Sequence, residues 1–475
     1  MKGLLIAGTA SGVGKTTVVL ALLAAIVKRG QVVQAFKGGP DFLDTGHHAR
    51  ISGRAARNLD TWMLTEEANR TLFREATSDV DAVVVEGMMG LFDGKSGISE
   101  TGSSAEIAKL LKLPVVLVLD AAKSARSIAA VVLGFELFDP QLVISGVILN
   151  RCASERHFKM LQTAIDASCK TPVLGWLPRN PEITIPERHL GLQTVEEAVS
   201  DECATKELTH VLAALAEKHF DLERILALEY VEEVTPLHTA TWEPELSAVR
   251  IGVARDRAFS FYYENNFDLL RKQGAVLISF SPLNDAQLPS NLDALYFGGG
   301  YPELYAEQLS KNLSLLQDIR TFSALGGLIY AECGGMIYLS RQLTTSDGKD
   351  HEMVGVLPFA MEMTNKLVRF GYVTVEFTQN CLLGPSGTTI RGHSFHYSHI
   401  TKVSPTETSY RVHYSLSDRE ELEGYGVGNT LASYVHLHFM ANPLVAMHLV
   451  EAARRTQVRY DGASLHPMNA PEITS

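Results

Sequence analysis

Cysteine, basic charge and long apolar runs are all scarce in this chain. Its 475 residues include five cysteines, Cys152, Cys169, Cys203, Cys333 and Cys381. That number is odd and too sparse for a disulfide framework. Lysine plus arginine number 42 against 54 aspartate plus glutamate, a formal net charge of −12. The electrostatic footprint that draws nucleic acid is therefore missing. The longest apolar run, Val18–Val27, falls far short of the ~20 residues that a membrane-spanning helix needs. The N-terminus, MKGLLIAGTASGVGKTT, turns polar after a few apolar residues, unlike a secretory signal. Hydrophobic residues at 46% and charged residues at 20% match ordinary globular usage, which excludes disorder, collagen or coiled coil for the chain as a whole. The expectation is a soluble, cytoplasmic protein of several domains that engages neither nucleic acid nor membrane.

What is present is a repeated grammar. Short β-branched runs at Leu4–Ala7, Val32–Phe36, Ala82–Val85, Val115–Leu119 and Gly146–Leu149 alternate with amphipathic stretches at Thr16–Arg29, Ala105–Leu111 and Ser127–Phe138. A parallel α/β sheet requires this alternation, and strands so apolar suit a sheet covered on both faces. A helical segment, Val195–Leu228, runs into EYVEEVTPLHTATWEPELSAV, which reads as a linker. From RIGVARD the grammar restarts, through Val276–Ser279, Ala294–Phe297 and Leu328–Ala331. Past Met353 the chain becomes β-rich, including Tyr372–Phe377 and Leu431–Leu437, before a last helix near Pro443. The predicted division is one α/β domain at 1–241, a linker at 242–248, a second α/β domain at 249–455 and a tail at 456–475.

The first strand ends in Gly8-Thr9-Ala10-Ser11-Gly12-Val13-Gly14-Lys15-Thr16-Thr17, and a helix follows. These are the parts of a P-loop, with Thr9 where the strict pattern has glycine. Backbone N–H groups of Gly12 to Thr17 cradle phosphates, Lys15 reaches the β/γ oxygens, and Thr16 meets Mg2+. A related loop occurs in partitioning and membrane-associated ATPases, whose extra signature lysine is replaced here by Ala10. A switch ATPase is thus the alternative from a different class. Asp41, in Lys37-Gly38-Gly39-Pro40-Asp41-Phe42-Leu43-Asp44, and Glu86 follow the second and third apolar runs. Ligands gather at the carboxyl ends of parallel strands, so both carboxylates are expected near the metal. Phe42, Leu43, Asp60 and Asp93 are candidate substrate contacts, with turn or cap chemistry as the competing role for the last two.

The second chemical centre is Tyr330-Ala331-Glu332-Cys333-Gly334-Gly335-Met336. Strand before and helix after put Cys333 on a sharp turn, where a helix N-terminus is expected to lower the thiol pKa. Gly299 and Gly300 of the Gly-Gly-Gly loop, with Gly334, are candidate oxyanion donors. In Ser433-Tyr434-Val435-His436-Leu437-His438-Phe439, both histidines point to one face at strand spacing, and either could serve as base. His393, His396 and His399 lack neighbouring ligands at zinc spacing, so structural or substrate-contacting roles are expected.

The ordered segments GTASGVGKTT, FKGGPDFLD, RNLDTWM, EGMMGLFDG, GVILNR, PERHLGL, FSFYYENN, FGGGYPE, ECGGM, RGHSFHYS and ASYVHLHF resemble those of the cobyrinic acid a,c-diamide synthase family over nearly the whole chain. The resemblance implies a dethiobiotin synthetase-like ATP- and corrinoid-binding amidoligase domain, then a class I glutamine amidotransferase domain. It further implies ATP- and Mg2+-dependent amidation of the a- and c-acetates of a corrinoid with L-glutamine or ammonia, through an acyl phosphate. On this resemblance Cys333 is the nucleophile, His436 its activator, and Thr16, Asp41 and Glu86 the magnesium ligands. Glutaminases of the triad type carry glutamate two residues after the histidine; here that residue is His438, so a Cys–His dyad is the reading and the third role stays open. Ser394 likewise stands where the pattern has glutamate. Relatives that amidate hydrogenobyrinate or nickel-sirohydrochlorin are the alternatives for substrate, and a homodimer is the candidate assembly, the oligomeric state staying open.

Overall fold

The computed structural model describes residues 2–179, 187–188, 191–192, 202–230, 248–401 and 406–456. The chain divides into two units, Met1–Ala240 with Tyr263–Asn265 and Thr241–Tyr262 with Asn266–Ser475. Of the expected linker only Ala248, and of the expected tail only Thr456, fall among the described residues.

The first unit is built on seven strands, β1 (Lys2–Gly8), β2 (Val33–Gly38), β3 (Arg57–Leu59), β4 (Ala82–Glu86), β5 (Val115–Asp120), β6 (Ile144–Cys152) and β7 (Val173–Pro178). They run parallel in the order β3-β2-β4-β1-β5-β6-β7. The crossovers include α1 (Lys15–Lys28), α2 (Leu43–Ser52), α3 (Glu66–Thr77), α4 (Ser104–Leu110), α5 (Ser127–Phe138) and α6 (Glu155–Asp166). Helix α1 is apolar on every side, as a helix enclosed by other elements must be. Val18 to Ile26 are buried with Leu4, Ile6, Val84 and Val116 of the sheet and with Leu212, Ala213 and Ala216 of α7 (Glu202–His219). Each large aliphatic residue so enclosed contributes about 1.5–3 kcal/mol. Strands β3 and β7 are additions to the sequence reading: β3 is only three residues long, and Gly175 and Pro178 interrupt the apolar pattern of β7. Of the expected helix Val195–Leu228, residues 195–201 lie outside the described residues.

A two-stranded hairpin, β8 (Glu187–Arg188) and β9 (Gly191–Leu192), precedes α7. The second unit contains a ten-stranded sheet. Its parallel half comprises β10 (Val249–Ala254), β11 (Ala275–Phe280), β12 (Ala294–Phe297) and β13 (Leu328–Glu332). A small four-stranded sheet follows, formed by β14 (Gln342–Thr344), β15 (Asp350–Glu352), β16 (Ala360–Met363) and β19 (Ser398–Thr401). The antiparallel half of the large sheet contains β17 (Arg369–Phe377), β18 (Thr389–His396), β20 (Glu407–Tyr414), β21 (Glu420–Val427), β22 (Thr430–Ser433) and β23 (Val435–Leu437). The strand order is β11-β10-β12-β13-β22-β21-β20-β17-β18-β23, with β22 parallel to β13 and β23 antiparallel to β18.

The single strand expected over Leu431–Leu437 is thus two strands separated at Tyr434. The buried Glu423 carboxylate accepts from Ser433 Oγ and, at 3.1 Å, from Tyr434 N, while Ser433 Oγ accepts from Val435 N at 2.9 Å. These bonds turn the backbone out of the β22 ladder and send His436 to a different edge of the sheet.

Candidate functional site

In the first unit β1 passes into α1 through a loop that glycine alone can follow at its last position. Gly14 has φ 89°, and a Cβ there would lie 2.1 Å from Asn150 Nδ2. Asn150, at the carboxyl end of β6, donates to Val13 O at 2.8 Å and fixes the loop from the sheet side. Gly12 is exposed and Thr17 half-buried. Lys15 Nζ bonds to Met89 O and, at 3.4 Å, to Ala10 O. Burial and the nearby Lys37 lower its pKa to about 8.

Behind the loop lies a buried cluster. Thr16 Oγ1 donates to Glu86 Oε1 at 2.7 Å and lies 3.3 Å from Asp44 Oδ1. Lys37 Nζ stands 2.5 Å from Asp44 Oδ2 and 3.0 Å from Glu86 Oε1. His48 Nε2 lies 2.7 Å from Glu86 Oε2, both residues fully enclosed. Burial opposes the charge on Glu86, yet Lys37, His48 and Thr16 together hold its carboxyl well below the usual range. Burial also opposes the Lys37 charge, and Asp44, Glu86 and Asp41 outweigh it, keeping the ammonium above its usual range. Asp44 is pushed up to about 7 by burial and by the like charges of Asp41 and Glu86.

Asp41 lies beside this cluster, its charge acting on both Lys37 and Asp44. Its Oδ1 accepts from Leu43 N at 2.8 Å and Asp44 N at 3.1 Å, the bonding of a helix cap, while Asp44 meets Thr16. Asp60 is buried and accepts from Trp62 N at 2.8 Å and Met63 N at 2.6 Å; Asp93 Oδ2 accepts from Gly90 N at 2.9 Å. Both carry out turn chemistry. Phe42 and Leu43 are half-buried at the start of α2.

In the second unit Cys333 follows β13 directly, at φ 45° and ψ −101°, and opens the six-residue helix α8 (Gly334–Leu339). A non-glycine residue held there stores about 1–3 kcal/mol of strain, a cost that active sites commonly bear. Cys333 N donates to Ser433 O at 2.7 Å, and Sγ lies 3.8 Å from Phe395 O. Against the expected lowering, burial, then the Glu303 charge, pushes the thiol pKa up. A thiol shifted in that direction needs a base to act as a nucleophile.

The Gly-Gly-Gly turn joins thiol and histidine. A Cβ on Gly334 would lie 2.9 Å from Gly300 N, and one on Gly299 would lie 2.3 Å from His436 Cε1. Gly299 N donates to Phe261 O at 3.2 Å and is therefore already engaged. His436 stacks on His393 at 4.9 Å across the β18–β23 register, and burial holds its pKa well below the usual value. His396 stacks on Tyr434 at 3.6 Å, and His399 lies 3.8 Å from Glu362. Among the described residues no group of three or more His, Cys, Asp or Glu is set to hold a metal.

Comparison with known proteins adds to this geometry. Residues 4–192 match the CobQ/CobB/MinD/ParA nucleotide binding domain, and residues 250–444 the CobB/CobQ-like glutamine amidotransferase domain. A Listeria monocytogenes serotype 4b protein named cobyrinate a,c-diamide synthase is 43% identical over 458 residues, covering 96% of this chain and 100% of its own length. Proteins of the same name from Syntrophotalea carbinolica and Salmonella typhimurium are 44% and 41% identical, each over 95% of this chain and 98% of theirs. The chain belongs to the cobyrinate a,c-diamide synthase family. As a member of the cobyrinate a,c-diamide synthase family it is an enzyme, a ligase of glutamine-hydrolysing amidation, with a nucleotide-binding first unit and a glutamine amidotransferase second unit. No described helix is long and apolar enough to cross a membrane.

Sequence reasoning passed over Lys37, Asp44, His48, Asn150 and Glu332. Four of these lay within quoted motifs without a role: Lys37 and Asp44 bracket GGPDFL, Asn150 lies in GVILNR, and Glu332 precedes Cys333. The spacing of Asp41 and Asp44 held the usable signal, since a residue before a helix caps it and one inside the first turn faces the sheet.

Proposed function

We propose that the chain converts cobyrinate to cobyrinate a,c-diamide, coupling glutamine hydrolysis to ATP cleavage. One observation carries the reading: the chain that holds a P-loop backed by a buried hydroxyl–carboxylate cluster also holds a cysteine on a strained strand-to-helix turn. Full-length similarity to relatives of that name supports the choice of macrocycle.

In this reading a macrocycle acetate oxygen attacks the γ-phosphorus of ATP, ADP leaves, and an acyl phosphate results. Ammonia then adds to the acyl carbon and inorganic phosphate departs, giving the amide. The N–H groups from Gly12 to Thr17 cradle the phosphates, and Lys15 neutralises their charge. The hydroxyl of Thr16 and the carboxylates of Glu86 and Asp44 are hard oxygen donors drawn around one positive charge, that of Lys37, and so fit Mg2+. Asp44 takes the place first given to Asp41, whose carboxylate caps α2. When bound, the metal supplies neutralisation of phosphate charge.

Ammonia comes from the amidotransferase unit. His436 accepts the Cys333 proton, Sγ attacks the glutamine amide carbon, and the N–H groups of Gly300 and Gly334 face the oxyanion. Protonated His436 returns its proton to the departing ammonia, and water releases glutamate from the thioester.

The test is mass spectrometry of products from purified protein given Mg·ATP and glutamine. Cobyrinate, hydrogenobyrinate and nickel-sirohydrochlorin are offered in parallel. Two successive amidations of cobyrinate, each with one ADP, are expected. Preference for another macrocycle would correct the substrate. Amidation of none, by protein that still binds ATP, would overturn the reading in favour of a switch ATPase.

A further inference from the structure

Residue 438 does not supply the missing carboxylate of the triad: it is a histidine whose Nδ1 accepts from Met440 N at 3.3 Å, capping the short turn Phe439–Ala441. The carboxylate beside His436 comes from another strand. Glu332, the last residue of β13 and the chain neighbour of Cys333, places Oε2 3.9 Å from His436 Nδ1, with both side chains buried. We propose that Glu332 is the positioning residue for His436, filling the third triad place from the strand that carries the nucleophile. The proposal rests on the glutaminase reading of Cys333 given above.

Glu332 is itself held. Oε1 accepts from Tyr330 OH at 2.7 Å and from Leu437 N at 3.1 Å, and Oε2 from Tyr296 OH at 3.2 Å. Leu437 N belongs to the residue after His436, so one carboxylate both ties down β23 and faces its imidazole. An acceptor at Nδ1 keeps the proton there and leaves Nε2 as the base. It then stabilises the imidazolium once the thiol proton arrives. That support is needed, because burial disfavours the imidazolium of His436 and the thiolate of Cys333 alike. A separation of 3.9 Å exceeds a hydrogen bond, but such contacts are often long before substrate binds and tighten afterwards.

The neighbouring titratable groups leave a usable pH signature. Burial pushes Glu332 up to about 7, against its three donors. His393 and His438 are lowered to about 3 and His396 to about 4 by burial, so all three are neutral across the working range. Tyr296 and Tyr330 are raised well above their usual value. Glu423, reaching the site through Ser433, is also pushed up to about 7 by burial and is the competing source of a pH effect.

The experiment measures glutamine-dependent and ammonia-dependent amidation of cobyrinate by the full-length enzyme against pH. Glu332→Gln should lower kcat with glutamine about 10²-fold or more, keep KM for glutamine within about threefold, and leave the ammonia-dependent rate unchanged. It should also abolish the acid limb near neutrality that the parent enzyme and Glu423→Gln both show. A fully active Glu332→Gln enzyme that retains the acid limb overturns the proposal. Should Glu332→Gln fail to fold, Tyr330→Phe decides. Loss of that donor moves the acid limb to higher pH if Glu332 acts through His436, and an unmoved limb contradicts the proposal. Cys333→Ala separates the two levels of argument. If it retains glutamine-dependent turnover, the glutaminase reading itself is wrong, whatever Glu332 does.

Discussion

Asn150 fills the space that a side chain on residue 14 would need: its Nδ2 lies 2.1 Å from a Cβ built on Gly14, and the same amide donates to Val13 O at 2.8 Å. The phosphate loop is therefore shaped from two sides, by the left-handed backbone of Gly14 and by the end of β6. Gly14→Ala must displace Asn150 and adopt a conformation that costs an L-residue about 1–2 kcal/mol. ATP affinity, measured by calorimetry, should fall at least about tenfold, the equivalent of 1.4 kcal/mol. Asn150→Ala should weaken ATP binding in the same direction by freeing the loop without blocking it.

Asp41 and Asp44 separate structure from chemistry over three positions. Asp41→Ala removes a cap and should lower stability by about 0.5–2 kcal/mol, read as a drop in Tm. Asp44→Asn leaves the cap in place and removes a carboxylate beside Thr16 and Lys37. It should keep nucleotide binding while reducing Mg2+-dependent turnover by about 10²-fold. The reverse pattern, with Asp44→Asn active and Asp41→Asn dead, would restore Asp41 as the ligand.

The Cys333 backbone is strained for the sake of thiol placement, so stability and activity should part there. At φ 45° and ψ −101° glycine is tolerated where alanine is not. Cys333→Gly should therefore melt above Cys333→Ala by an amount equivalent to about 1 kcal/mol. Both variants should lack glutamine-dependent activity. Equal melting temperatures would mean that the turn relaxes once the thiol is gone.

Glu423 gives a pH dependence of stability with a definite sign. Burial raises its pKa from 4.5 to about 7, so the folded state retains a proton that the unfolded chain releases. Its contribution is fully present below about pH 4.5 and is lost as pH rises through 7. Glu423→Gln keeps acceptors for Ser433 and Tyr434 without the buried charge. At pH 8 it should melt above the parent protein, and at pH 4.5 the two should converge. Divergence at acid pH alone would reverse the assignment.

Much of this was legible in the residues, for identifiable reasons. Strands β1, β2, β4 and β5 are short β-branched runs enclosed on both faces, where composition alone announces a parallel sheet. Lys15 and Thr16 open α1 directly after the loop, and Cys333 sits on a strand-to-helix turn, so their local chemistry is written in consecutive residues. What stayed hidden depended on tertiary partners. The helix start separates Asp41 from Asp44 locally, but the partners of Asp44, Thr16 and Lys37, come from other elements. The break at Tyr434 is imposed by Glu423 from the neighbouring strand, so an apolar run read as one strand. Glu332 carried no role in the sequence because its partner, His436, lies about a hundred positions away. The thiol pKa ran against expectation because burial, then the Glu303 charge, pushes it up, and both depend on tertiary surroundings.

In the proposed mechanism one chain makes ammonia at Cys333 and uses it at the P-loop. Cobyrinate amidation by Cys333→Ala, followed by mass with glutamine and separately with ammonium, tests it most directly. No amide from glutamine and a parent-like yield of the a,c-diamide from ammonium are expected. Undiminished amidation from glutamine would contradict it.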